Sequence, residues 1–393
     1  MADSGPCSVS KLSTDISEDT VGPAKIPLGW AVILLLYLLT AFLLMVLRAT
    51  GDEHGQIELL GYEMPIARAH ELFFRYSVIG LGVVPAVLLL EAASVGWDAS
   101  SLRSFVRPMS LSGRSDLVCF LLMHLRWMRF LQIALTFGMA LISGNMVYRL
   151  MAGALGLDLS YDWMTPWARF PLFFMMYTFF DYVAHRVDHS GLFWPLHRFH
   201  HAAEEFNVFT ADRGHPASTL TQNGIKVFPL VVLGVPAEAV VDVGILVAAI
   251  NYLNHSRVDW DFGWFGRYVI QSPRHHRLHH AREGRVVNYS LVPLWDRLGG
   301  TWQDADRTLP ALGTSEPYRH GAFILTDVLR DYREFLSGLM QAGARAVGAG
   351  APVRNDGAAA ADGAEAQGRV PAAEVKPAAV AEVLNDPEQQ LFA

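Results

Sequence analysis

Histidines at the spacing of metal ligands are concentrated between residues 185 and 280. This stretch holds eleven of the fifteen histidines in the 393-residue chain. Residues three and four apart share one face of a helix, so H-x3-H and H-x2-HH patterns direct their imidazoles toward a common point. Ten candidate ligands fall in five segments: His185 and His189; His197, His200 and His201; His215; His255; and His276, His279 and His280.

A metal centre is the chemistry that this pattern indicates. Nitrogen donors from five segments can enclose two metal ions. A single histidine beside apolar residues would more often be an ordinary core residue, but ten in clusters favour ligands. Imidazole binds iron, zinc, copper and nickel, so the spacing does not identify the metal.

The composition predicts a membrane protein. Hydrophobic residues make up 52% of the chain, and the mean hydropathy is positive. Residues 26–47 run for 22 residues without a charge, which is long enough to cross a hydrocarbon core of about 30 Å. A cleaved signal peptide is the alternative, but this run is too long, begins late and has no obvious small-residue cleavage site. We therefore predict a retained transmembrane helix.

The charges around the apolar segments predict four spans with the amino terminus in the cytoplasm. The predicted spans are 26–47, about 73–93, about 127–147, and a run from Phe170 that ends at His185. Residues 94–130 carry five arginines, the bias of a cytoplasmic segment, whereas residues 48–72 lack a basic excess. Trp163 and Trp167 fit an interfacial belt on the outer side. This topology places the first histidine box at the cytoplasmic surface.

Residues 217–253 predict a helical hairpin in the membrane. Two apolar stretches, 218–234 and 236–250, are separated by Gly234-Val235-Pro236, which is strong turn punctuation. Stretches of 15 to 17 residues are short for full spans, so a re-entrant hairpin is favoured. Arms of equal length would return His255 to the level of His215, and both would then complete the ligand set.

The rest of the chain gives a simple domain organisation. We predict a disordered tail at 1–25, transmembrane helices at 26–184, a histidine-box catalytic region at 185–340 and a disordered alanine-rich tail at 341–393. The two cysteines, Cys7 and Cys119, give no disulfide framework. The net charge is −7, and the arginines alternate with histidines and apolar residues, so nucleic-acid binding is not predicted.

Asp181 is predicted to support a ligand. It precedes His185 by one helical turn on the same face, where its carboxylate can accept a hydrogen bond from a ligand imidazole and orient the ring. The alternative is an unpaired charge at the membrane interface, which is energetically costly.

The order of the histidine boxes resembles the fatty acid hydroxylase/sterol desaturase superfamily of integral-membrane non-haem di-iron enzymes. The resemblance covers about residues 170–305. It rests on the two box types, a His-Pro pair, an Asn-His-Ser stretch, and a closing pattern matched by Asn288, Trp295, Asp296, Gly300 and Thr301. Two positions depart from the family pattern, because His275 is an extra histidine and Gly299 stands where an aromatic residue is expected.

Together with the predicted spans and hairpin, the resemblance implies an all-α, multi-pass membrane enzyme of about four spans and a re-entrant hairpin, with a cytoplasmic histidine-rich cap. It implies two iron ions, with zinc as an alternative after purification, and dioxygen for the hydroxylation or desaturation of a membrane lipid. The residues expected to contact the metal ligands and orient them are Asp181, Asn254, Asn288 and Asp296. The sequence has neither a dinucleotide-binding fingerprint nor a fused cytochrome b5 signature, so a separate reductase, ferredoxin or cytochrome b5-like donor is expected.

Two other classes explain the pattern less well. A histidine-rich membrane metal transporter would place its histidines at mid-membrane depth or in a disordered loop, whereas these lie at predicted helix ends. A membrane cytochrome electron carrier needs only paired axial histidines, which leaves most of the ten without a role.

Overall fold

The computed structural model describes most of the chain between residues 79 and 346. The described residues are 56–59, 62–65, 71, 75, 79–106, 110–124, 138–156, 159–306, 310–321 and 323–346. The predicted tail 1–25 and the predicted span 26–47 lie outside them, as do residues 347–393 of the predicted alanine-rich tail.

Helices dominate the described residues, which confirms the predicted all-α class. The eleven α-helices there are α1 Val84–Val95, α2 Leu111–His124, α3 Gly138–Leu155, α4 Pro166–Asp188, α5 Trp194–His201, α6 Pro216–Val232, α7 Ala237–His255, α8 Gly263–Tyr268, α9 Pro273–His279, α10 Pro293–Leu298 and α11 Ile324–Ala346. Two short antiparallel strands, β1 Gln56–Leu59 and β2 Tyr62–Pro65, pair Leu59 with Tyr62.

Proline opens each of the helices that carry or adjoin the histidine boxes. Pro166 begins α4, Pro195 lies in the first turn of α5, Pro216 begins α6 and Pro273 begins α9. Proline suits the first turn because its fixed φ is helical and its missing N–H would have had no partner there. The boxes therefore sit on separate helices with sharply defined starts.

Helices α6 and α7 form the predicted hairpin. Their lengths are 17 and 19 residues, so α7 is longer than the predicted second arm and falls within the range of a full span. The turn needs Gly234, which has φ +80°, and a Cβ there would lie 2.4 Å from the carbonyl oxygen of Leu159. Helix α7 ends at His255, as the hairpin prediction requires.

Two apolar cores flank α7. In the first, Val231 of α6 and Val240 of α7 pack with Phe173 of α4. In the second, Tyr252 near the end of α7 packs with Phe209, which follows α5. Helix α7 thus passes from one core into the other before it delivers His255 to the site.

Three of the predicted spans overlap described helices. The fourth is α4, and the second overlaps α1. The third was predicted to end at residue 147, but α3 continues to Leu155 because helix formation does not require the apolar run to continue past Arg149. The helix stops at Gly156, whose φ of +64° is typical of a helix end. Among the described residues, one helix, α7, has both the length and the hydropathy of a membrane span.

Candidate metal centre

Nine histidines converge in two adjacent clusters. Within each cluster, one ring nitrogen from every member lies within 4.8 Å of the others. Cluster A contains His185, His189, His197, His201 and His279, and cluster B contains His200, His255, His276 and His280. The clusters meet where the ring of His201 stacks on that of His280, with centroids 4.2 Å apart.

The two H-x2-HH boxes each supply both clusters. Helix α5 directs His197 and His201 to cluster A and His200 to cluster B, and α9 directs His279 to cluster A and its other two box histidines to cluster B. Residues four apart share a face, and the neighbouring residue is rotated away by about 100°. The prediction that each box points to a single site is therefore wrong. The two adjacent histidines at the end of each box belong to different clusters.

Backbone carbonyls orient two rings of cluster A. The Nδ1 of His185 lies 2.7 Å from the carbonyl oxygen of Tyr289, and the Nδ1 of His279 lies 2.7 Å from that of Val287. A carbonyl can only accept, so each Nδ1 carries the hydrogen and each Nε2 keeps its lone pair. The segment 287–290 therefore fixes the tautomer of two predicted ligands.

Asp296 holds this segment in place. Its carboxylate accepts hydrogen bonds from the backbone N–H of Tyr289 at 2.9 Å, the N–H of Ser290 at 2.7 Å and the hydroxyl of Thr301 at 2.7 Å. Burial raises the pKa of Asp296 to about 6 in spite of these three donors. Asn288 has a left-handed φ of +56°, and its side chain exchanges two hydrogen bonds with the backbone of Gln303. Both predicted residues thus act on the histidines through the backbone.

Facing nitrogens in cluster B form a donor set that fits a cation. His200 donates from Nδ1 to the carbonyl of Arg213 at 3.0 Å, and His255 donates from Nδ1 to that of Asn251 at 2.8 Å. Their Nε2 atoms therefore both carry lone pairs, yet they lie only 3.3 Å apart. Two lone pairs at this distance repel unless a cation lies between or beside them, so the donor set fits a metal ion.

The side-chain amide of Gln271 orients the ring of His276, a third member of cluster B. The Nδ1 of His276 lies 3.2 Å from Oε1 of Gln271, whose Nε2 donates to the carbonyl of Asn288 at 2.6 Å. The predicted supporting residue Asn254 contacts the same Gln271 oxygen at 3.5 Å. Asn254 therefore touches the partner of a histidine rather than a histidine.

The buried histidines are suited to bind metal as neutral imidazoles. Burial holds the pKa values of His197, His200, His201, His276 and His279 well below their usual range. Among the described residues, the Nε2 atoms of His189, His279 and His280 are buried without a hydrogen-bond partner. Unpartnered buried nitrogen atoms are costly, and a metal ion in each cluster would satisfy them.

Two histidines of the 185–280 stretch lie outside the clusters. His215 caps α6, because its Nδ1 accepts from the N–H of Ala217 at 3.1 Å and its Nε2 lies 2.9 Å from the carbonyl oxygen of Val328. Both of its nitrogens are thus engaged, so the structure does not bring this predicted ligand together with the other nine. The ring of His275 packs against that of Trp302 in a tilted arrangement and bonds to Ser272, which agrees with its exclusion from the ligand set.

Asp181 does not play its predicted role. It forms an ion pair with Lys226 of α6 at 2.8 Å, whereas His185 donates to a backbone carbonyl. The acid of this helix closest to a ring is Asp188, whose carboxylate lies 3.6 Å from Nδ1 of His197. Asp181 and Asp188 lie about two turns apart on the same face of α4, so spacing alone did not distinguish the two acids.

Arg213 is a supporting residue that the sequence analysis missed. It is fully buried and pairs with the buried Asp116 at 2.7 Å, and its Nε donates to the carbonyl of Phe199 at 2.7 Å. Its own carbonyl accepts from His200. The only sign of this role in the sequence was the presence of a charged residue near the His-Pro pair.

Gly299, which departs from the family pattern, lies against Tyr182. A Cβ at this position would come within 1.9 Å of the Tyr182 hydroxyl, which also contacts Thr301 at 3.2 Å. The tyrosine therefore occupies the space in which a larger residue at 299 would have to sit.

The comparison with protein families agrees with this geometry. A model of the fatty acid hydroxylase family matches residues 170–301, a segment that contains all nine clustered histidines. This segment is therefore similar to the fatty acid hydroxylase family, as the resemblance predicted.

Three curated relatives share one name. Alkylglycerol monooxygenase from Caenorhabditis elegans is 29% identical over 151 residues, which is 37% of this chain and 29% of that protein. The Homo sapiens protein is 27% identical over 161 residues, covering 39% and 35%, and the Xenopus tropicalis protein is 26% identical over 172 residues, covering 40% and 36%. The chain thus spans about a third of the length of these relatives. The search of solved structures gives no significant match.

Proposed function

We propose that this chain is a membrane-bound non-haem di-iron oxygenase that hydroxylates or desaturates a C–H position of a lipid. The observation that carries the proposal is the pair of buried histidine clusters in a segment similar to the fatty acid hydroxylase family. Cluster A would hold one iron ion and cluster B the other. When bound, the two ions would supply the activation of dioxygen.

The overall reaction needs electrons from outside the chain. Hydroxylation of a C–H bond consumes one dioxygen, two electrons and two protons, and it releases one water. Desaturation consumes the same reactants, removes two hydrogens from the lipid and releases two waters. A separate reductase, ferredoxin or cytochrome b5-like protein is the proposed electron donor.

One cavity, lined by described residues, adjoins both clusters and is the proposed lipid site. Its volume is about 310 Å³, and its walls include His185 and His197 of cluster A and His200, His255 and His276 of cluster B. The protein's contribution there is to hold one carbon of the lipid beside the histidines and to exclude bulk water.

The relatives suggest which lipid to test first. The proteins matched over part of this chain are named alkylglycerol monooxygenases, so an alkylglycerol is the first candidate. Purified iron-loaded protein, a reducing system and ¹⁸O-labelled dioxygen should convert 1-O-hexadecylglycerol, with mass spectrometry as the measurement. One labelled oxygen in the first product would show hydroxylation, and loss of two hydrogens without label would show desaturation. If neither this substrate nor extracted membrane lipid changes under dioxygen, the proposed function is wrong.

We propose that the chain crosses the membrane four times and that residues 185–340 face the cytoplasm. The arginine bias of residues 94–130 and the exposed Trp163 and Trp167 support this topology. With Cys7 and Cys119 replaced, a cysteine introduced near residue 55 should react with an impermeant maleimide added to intact cells. A cysteine near residue 310 should react only after the cells are permeabilised. The opposite labelling pattern would exclude the four-span topology.

A further inference from the structure

We propose that the ion pair between Lys226 and Asp181 binds the polar head of the lipid and selects a neutral, hydroxyl-bearing head over a free carboxylate. This inference rests on the proposed function, because it concerns the cavity that adjoins the two clusters.

The pair lies in the wall of that cavity. Asp181 stands on α4 one helical turn before His185, and Lys226 reaches it from α6 with Nζ 2.8 Å from Oδ1. The exposed fractions of the two side chains are 14% for Lys226 and 26% for Asp181. Both line the cavity together with histidines of clusters A and B. A molecule in this cavity can therefore contact the ion pair and approach the clusters at the same time.

The pair has the chemistry to bind hydroxyl or ether oxygens. An ammonium group donates hydrogen bonds, and a carboxylate has about four acceptor positions, more than one ammonium can fill. A diol or a hydroxy-ether both donates and accepts, so it can bond to both members of the pair. An ion pair within a largely apolar helical bundle carries a desolvation cost, and ionisable groups in such places usually have a functional role.

The charge of the surrounding wall disfavours an anionic head. Besides Asp181, the cavity is lined by the carboxylate of Asp212, and its cations are Lys226 and Arg213. Arg213 is already committed to Asp116. A free fatty acid would bring its carboxylate toward these acids, and like charges in a partly buried site repel. A neutral head would not meet this repulsion.

The position of the pair also limits which carbon can react. Four residues of α4 separate Asp181 from His185, a rise of about 6 Å along the helix. Apolar residues of the wall, Leu196, Val247 and Leu291, can contact the hydrocarbon part of the lipid. A head bound at the pair therefore places a carbon within a few bonds of the head, rather than the middle of the chain, beside the clusters.

Binding to the zinc-loaded protein tests this inference without turnover. The probes are radiolabelled 1-O-hexadecylglycerol and hexadecanoic acid, measured by equilibrium dialysis in detergent. The wild type should bind the alkylglycerol at least about tenfold more tightly than the acid. The double variant Lys226→Met with Asp181→Asn should lose about tenfold in alkylglycerol affinity, since a hydrogen bond to a charged group is removed. Its metal content should stay unchanged, because neither residue belongs to a cluster.

A second ion pair offers a matched control. Arg75 pairs with Asp242 of α7 at 2.7 Å, and neither residue lines this cavity. Arg75→Met with Asp242→Asn should leave both affinities unchanged, and Lys226→Arg, which keeps the pair, should preserve the preference. The inference is overturned if the Lys226→Met and Asp181→Asn variant binds both lipids like the wild type, or if the wild type prefers the acid. A correct binding preference without any oxidation of lipid would instead contradict the proposed function.

Discussion

Replacement of His279 or His276 by alanine should remove one of about two bound metal ions and abolish turnover. His279 belongs to cluster A and His276 to cluster B, so each variant should lose a different ion. Replacing residues that merely orient metal ligands typically costs 10-fold to 100-fold in metal affinity or activity, and the loss of a ligand should cost more than about 100-fold. Metal analysis after dialysis against a chelator, with an optical spectrum to exclude haem, measures the outcome.

The two histidines outside the clusters supply the controls. His275→Gln and His215→Asn should both retain the metal content of the wild type, because the first ring packs against Trp302 and the second caps α6. Asparagine is also a good helix cap, so His215→Asn keeps that role. Loss of metal in His215→Asn would restore His215 to the ligand set. Full metal content in both alanine variants would exclude the two-cluster centre.

Replacement of Arg213 by methionine should destabilise the protein by about 3–5 kcal/mol, because it leaves the carboxylate of Asp116 buried without its partner. Both side chains are fully buried, so water cannot compensate the charge. Asn207 and Thr210 would remain bonded to Asp116, but neither carries a charge. The free energy of unfolding in detergent, from denaturant titration followed by circular dichroism, measures the loss.

Two further variants separate charge burial from a general loss of packing. The double variant Arg213→Met with Asp116→Leu should recover a large part of the stability, since replacing a whole buried pair by apolar residues is often neutral. Arg274→Met breaks a more exposed pair with Asp259, and it should cost less than about 1 kcal/mol. An Arg213→Met loss that Asp116→Leu does not reduce would show that packing, not the unpaired charge, dominates.

The histidine clusters were predictable because their signal is local. Spacing along one helical turn decides which rings share a face, and nine of the ten predicted ligands lie in the clusters. His215 had no periodic partner, and nothing in its own segment could show that Val328, more than a hundred residues away, would accept from its ring. The prediction of a helical hairpin also followed from local features, the two apolar stretches and the Gly-Val-Pro turn.

What sequence spacing could not predict was how the rings are oriented. Four of the nine clustered histidines donate to backbone carbonyls, which every residue type carries. Asp181 forms an ion pair with Lys226, which lies on another helix. Spacing within α4 could therefore not show that Asp188, and not Asp181, would lie near a clustered histidine. Helix ends such as that of α3 depend on Gly156 rather than on the end of an apolar run. Each of these features requires knowledge of which segments are neighbours in space.

The orientation of the rings by carbonyls has a consequence for protein engineering. Val287 and Tyr289 orient His279 and His185 through main-chain atoms, so the identity of those two side chains contributes little to that task. Copying nine histidines onto a designed helical bundle would reproduce the donors but not the tautomers. The portable unit is the histidines together with the path of the backbone at 287–290 and the Asp296 carboxylate that anchors it. A successful graft would have to transplant that loop intact, even if most of its side chains were redesigned.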